Sequence, residues 1–178
     1  MTMCENIKQD FARVYEQTTY PGKFKKTFIT VTNPGFQAVL LYRVSRWLLT
    51  YHIPLLGLIL QRLSEVWTGV SIPADAKIGP GLLILHFGGI IINDKAVLGS
   101  QCTLHHGVTI GNKNPGGGSP TIGERVIIGA GAKVLGEIKI GNDVEIGANA
   151  VLLESLPDGA VAVGIPAKII RQKNLSSH

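Results

Sequence analysis

The sequence predicts a β fold: a left-handed parallel β-helix of hexapeptide repeats, closed at one end by an N-terminal α-helical hairpin. Three observations carry this. Aliphatic residues recur every six positions, at Ile92, Leu98, Leu104 and Ile110, and again at Ile122, Ile128, Val134, Ile140, Ile146 and Leu152. Two positions before each stands a small or aliphatic residue, such as Ala96, Cys102, Val108 or Ala132. One position after often stands Gly, as at Gly99, Gly111, Gly129 and Gly147. A helix of 3.6 residues per turn would smear a period of six around its axis, whereas a short strand and a sharp corner keep it on one side.

Residues 1–70 form the N-terminal segment and the hairpin. Residues 1–30 are poorly patterned. Asn33 is a fair N-cap and Pro34 suits a first helical position. "FQAVLLYRVSRWLL" (36–49) has apolar residues at helical spacing, with Arg43 and Arg46 toward a polar side. "PLLGLILQRLSEVW" (54–67) reads as a second helix. The pair is expected to cap the open end of the prism, as solenoids require. Membrane-surface contact is the second role considered for it.

Residues 71–170 form the β-helix. Three hexads make one triangular coil, so residues 18 apart stack, about 4.8 Å per rung. This predicts an internal column of Ile92, Ile110, Ile128 and Ile146. Such coils wind left-handed, against the usual crossover rule. The phase breaks twice. "LLILHFGGII" carries a two-residue slip and holds His86. "GNKNPGGGSP" (111–120) contains no inward aliphatic and is expected to leave the prism as a mobile loop serving a ligand or a neighbouring subunit. Residues 171–178 form a polar tail.

Composition narrows the function. The chain has 178 residues and a formal net charge of +5. Its basic residues are dispersed and not interleaved with aromatics, which argues against a nucleic-acid groove and leaves phosphate-bearing partners open. Cys4 and Cys102 make no CxxC, and Cys102 falls on the inward pattern. The N-terminus has no secretory pattern, and the longest apolar run is far short of the roughly 20 residues that span a bilayer. These features fit a cytoplasmic protein, with peripheral association with the inner membrane as the variant.

His86 occupies the slip, where a side chain can leave the packed wall. His105 and His106 follow Leu104 and so fall on an outward corner, about one rung from His86. A solvated corner is the plain reading of all three. Imidazole titrates nearest physiological pH and suits removal of a hydroxyl proton. No Cys, His or Asp cluster has metal spacing, so no metal is expected.

Residues 34–170 resemble the hexapeptide-repeat acyltransferase family, in its serine acetyltransferase branch. "AKIGPGLLILHFGGIIIN", "GVTIGN", "IIGAGAKVLGEIKIG" and "VGIPAKII" carry the resemblance. It implies a homotrimer, acetyl-CoA as donor and active sites between subunits. The family histidine of a "DHxxG" context matches His86, making His86 the general base. His106 is the preferred second catalytic candidate, beside His105, and Asp94 a carboxylate that orients the base. Coenzyme A contacts are implied at Gly111, Asn112, Ala130 and Ala148. Lys168, with Arg171 or Lys173, would meet the nucleotide phosphates.

Departures from the branch shape the acceptor. Leu85 replaces the acid before the first histidine, Ser71 an upstream acid (though Asp75 is close), and Ser119 a second histidine. An amino-acid acceptor needs a charged clamp, and a sugar does not. The expected reaction is therefore acetyl transfer to a carbohydrate hydroxyl, similar to capsular and exopolysaccharide O-acetyltransferases in polysaccharide biosynthesis. Serine O-acetylation is the alternative. A non-catalytic or metal-binding β-helix protein is the third reading.

Overall fold

In a computed structural model, residues 2–173 are described; residues 174–178 of the expected tail lie outside the described residues. Four helices come first: α1 (Met3–Gln17), α2 (Lys23–Thr32), α3 (Pro34–Thr50) and α4 (Pro54–Thr68). Short strands then wind into a left-handed prism with three faces. The first face stacks β1 (Val70–Ser71), β4 (Ile90–Ile92), β7 (Thr109–Gly111), β10 (Lys133–Leu135) and β13 (Val151–Leu152). The second stacks β2 (Lys77–Ile78), β5 (Val97–Leu98), β8 (Thr121–Ile122) and β11 (Lys139–Ile140). The third stacks β3 (Leu83–Leu85), β6 (Thr103–His105), β9 (Ile127–Ile128), β12 (Glu145–Ile146) and β14 (Ala160–Gly164). Antiparallel β15 (Ala167–Gln172) closes that face, so the predicted tail begins inside a strand.

The inward aliphatics fill the prism as predicted; Leu104, Ile110, Ile128 and Val134 have no exposed surface. Their columns differ from the expected one. Ile92 pairs with Ile110, but Ile110 pairs with Val134, not Ile128. Ile128 belongs to the third face, between Leu104 and Ile146. The loop of residues 111–120 is the reason. It makes the step from inward Ile110 to Ile122 12 positions where 6 is the usual step, so one coil is six residues longer and every later hexad falls one face behind the expected register.

Two helices stand where residues 1–30 carried no readable pattern. α1 opens with a capping box: the Glu5 amide donates to Thr2 Oγ1, and the Thr2 amide donates to Glu5 Oε2. Arg43 does not line a polar side; it is buried. Its Nε donates to Asp10 Oδ2 at 2.9 Å, and its Nη1 and Nη2 donate to the carbonyls of Ile78 and Gly79. Asp10 also accepts from the amides of Gly81 and Leu82, so one carboxylate ties α1 and α3 to a prism corner. α3 starts as predicted, with Asn33 Oδ1 accepting from the Phe36 amide and Pro34 in the first turn. It closes the prism: Ala38, Val39 and Tyr42 join the core, and Tyr42 donates its hydroxyl to the Ala76 carbonyl.

Candidate active site

The corner between the third and first faces carries the candidate chemistry. Leu85 pairs with His105, and His86 leaves β3 where His106 leaves β6. The two-residue slip lies in this corner, between the Leu85–His105 pair and the hydrogen bond from the Gly107 amide to the Gly88 carbonyl. It bulges the backbone and puts His86 at a φ of 54°. His86 and His106 are exposed and His105 is half-buried. The His86 ring centroid lies 6.3 Å from that of His105 and 6.1 Å from that of His106. Three imidazoles thus meet at one edge. Burial, with a smaller push from the two neighbouring imidazoles, lowers the His105 imidazole from its ordinary value and so favours its neutral form.

Going up the same edge, the residues become small. The Gly131 amide donates to the His106 carbonyl and the Asn149 amide to the Ala130 carbonyl, so His106, Ala130 and Ala148 succeed one another from coil to coil. Beside them Gly129 and Gly147 continue the His105 column. A Cβ on Gly129 would lie 2.6 Å from the Ala148 nitrogen, so these coils touch too closely for a side chain there. The column continues to Val163, which pairs with Lys168. At about 4.8 Å per rung, four steps separate His105 from Lys168 by about 19 Å. The Lys168 ammonium stands 3.5 Å from the Glu154 carboxylate, and both are well exposed, so the pair is weak.

Other candidates stand apart. Gly111 pairs with Leu135, and Asn93 Nδ2 donates to Asn112 Oδ1, which puts Gly111 and Asn112 at the corner between the first and second faces. Asp94 follows Asn93 there. The structure therefore does not bring Asp94 to His86 within one chain, because a whole strand of the first face, β4, lies between them. The first face bears a groove of about 440 Å³ lined by Ile91, Asn93, Asp94, Thr109, Asn112 and Leu135. Ser119, from the loop, donates to Asn93 Oδ1 at 2.6 Å. Among the described residues, no group of three or more His, Cys, Asp and Glu side chains is arranged to hold a metal ion.

Two cations flank the imidazole edge, and neither was legible as a site residue. Lys133 donates to the Gly107 carbonyl at 2.6 Å and to Thr109 Oγ1 at 3.1 Å, one residue past His106. Arg13, from α1, donates from Nη2 to Thr103 Oγ1, two strand positions before His105, and its Nε is buried without a hydrogen-bond partner among the described residues. Neither ion-pairs with a carboxylate among the described residues. Both lie far in sequence from the histidines they approach; the Thr2–Glu5 capping-box spacing marks a helix start but not what Arg13 touches.

The chain belongs to the hexapeptide-repeat transferase family, on its serine acetyltransferase-like side. The family model for bacterial transferase hexapeptide (six repeats) matches residues 119–154. Serine acetyltransferase of Helicobacter pylori J99 is 43% identical over 152 residues, covering 84% of this chain and 89% of that protein. Serine acetyltransferase of Synechococcus elongatus is 38% identical over 170 residues, covering 94% of this chain and 69% of that protein. The crystal structure of serine acetyltransferase from Brucella abortus S19 in complex with coenzyme A superposes with a TM-score of 0.88 at 30% identity, covering 97% of this chain and 69% of that one.

These relatives overturn the carbohydrate acceptor and the polysaccharide role expected from the missing clamp. The expectation rested on uncharged residues at Ser71, Leu85 and Ser119.

Proposed function

We propose that the chain is an acetyl-CoA-dependent serine O-acetyltransferase working as a homotrimer. One observation carries this reading: a single edge presents imidazoles, then an unobstructed run at Ala130 and Ala148, then the Lys168 cation about 19 Å further on. A long thioester arm laid along that edge puts its phosphates near Lys168 and its acetyl group at the histidines. Charge-assisted contacts from Lys168, Arg171 and Lys173 suit the phosphates.

His86 takes the proton from the acceptor hydroxyl as the hydroxyl oxygen bonds to the thioester carbonyl carbon. The resulting oxyanion collapses, the carbon–sulfur bond breaks, and the thiolate takes the proton back from the imidazolium. His105 and His106 flank the base and orient the acceptor. Serine is a zwitterion and needs a cation for its carboxylate; Lys133 supplies one beside the groove of the first face, on Thr109. A corner is convex and offers only one wall. A three-fold copy supplies the other, with Gly111, Asn112 and Asp94 of one chain meeting the imidazole edge of the next.

Thiol release from acetyl-CoA on addition of L-serine, with O-acetylserine identified by mass spectrometry, tests the reading. Release that neutral polyols support and L-serine does not would overturn it.

A further inference from the structure

We propose that α2 and α4 form a docking surface for an anionic lipid surface, on which the helical end of the protein lies. Both helices turn their large apolar residues outward. In α2, Phe24, Phe28 and Val31 fall at i, i+4 and i+7, and Phe24 and Phe28 are 86% and 61% exposed. The buried residue of α2 is polar Thr30, which donates to the Lys26 carbonyl. In α4 the buried residues are Gly57, Ser64 and Thr68, while Leu55, Leu63, Val66 and Trp67 face out, the last two 89% and 74% exposed. The cause is close packing on α3: a Cβ on Gly57 would lie 3.1 Å from the Ser45 carbonyl oxygen. With small residues against α3, the large ones have only the outside. Gln37 joins the two helices, accepting from Trp67 Nε1 and donating to the Val31 carbonyl.

An apolar surface of this extent on a folded chain marks an interaction site. Its charges choose the occupant. Lys23 and Lys25 interleave with Phe24, are exposed, and have no carboxylate partner among the described residues. α2 carries no acidic residue. A two-fold contact with a second copy would set these lysines against themselves. An anionic headgroup layer takes both the lysines and the phenylalanines, in the manner of an interfacial helix. No described helix is long and apolar enough to cross a membrane, so the surface lies on the bilayer.

Co-flotation of the full chain with vesicles of equal phosphatidylcholine and phosphatidylglycerol tests this, beside vesicles of phosphatidylcholine alone, with oligomer mass in solution measured in parallel. Binding is expected to the anionic vesicles and to weaken with salt. Phe24→Ser with Phe28→Ser should weaken it at least about tenfold, and Lys23→Gln with Lys25→Gln about fivefold per lysine. Helix content and melting should hold in both double variants, since all four residues are exposed. Failure of the wild type to float, flotation indifferent to the phenylalanines, or a fall in oligomer mass on their replacement (the mark of a second copy) each overturns the proposal.

Discussion

His86 and His106 leave the third face at the same corner of consecutive coils, with ring centroids 6.1 Å apart. They are twenty residues apart, not eighteen, because the slip lengthens that coil by two. The left-handed backbone of His86 follows from the same bulge.

That backbone dictates how to remove the base. Alanine at a φ of 54° adds strain of its own, whereas asparagine tolerates it. His86→Asn is expected to lower kcat about 10²- to 10⁴-fold with the melting temperature unchanged, read by thiol release and thermal denaturation.

Ala148 is exposed on the edge assigned to the donor. Ala148→Leu should raise KM for acetyl-CoA about tenfold, as for a lost contribution of about 1.4 kcal/mol, and leave KM for L-serine and stability alone. Steady-state kinetics in both substrates measure the split.

Lys133 separates acceptors by charge. Lys133→Gln should cut kcat/KM for L-serine about 10- to 100-fold, the worth of a hydrogen bond to a charged group, and spare L-serinamide, which has no carboxylate. Equal losses with both acceptors would leave Lys133 as a support for the Gly107 corner alone.

Burial and the two neighbouring imidazoles lower the His105 imidazole from its ordinary value in the folded chain. The unfolded chain protonates it below about pH 6.5, so there the unfolded state binds more protons and stability falls as pH falls. His105→Gln should flatten the drop in melting temperature between about pH 7 and 5, as read by circular dichroism.

Asp10 and Arg43 make a buried pair in which both carboxylate oxygens and all three guanidinium nitrogens are hydrogen-bonded. Asp10→Ala leaves a buried guanidinium without its counter-charge and should cost about 3–5 kcal/mol in chemical denaturation. This pair shows where sequence reading stopped. Arg43 stands in a helix that reads clearly, but its partner is 33 residues upstream on a different helix, and neither helix's own period says which residues of the two meet. Arg13 and Lys133 are hidden for the same reason: a cation's role depends on what it approaches, and spacing along the chain does not record that.

The hexad period by itself determined the prism, its inward aliphatics, the outward corners of His86, His105 and His106, and the stacking of Ala130 over Ala148. A period of six has one geometric solution in which every aliphatic is buried, so local pattern suffices. Only the tertiary structure decided which face each coil meets after the loop of residues 111–120, that Asp94, Gly111 and Asn112 lie an edge away from the histidines, and that the cations Arg13 and Lys133 flank them. Each of these turns on how many residues a coil spends between strands and on contacts across tens of residues, and these are fixed when the coils close on one another and the helices dock.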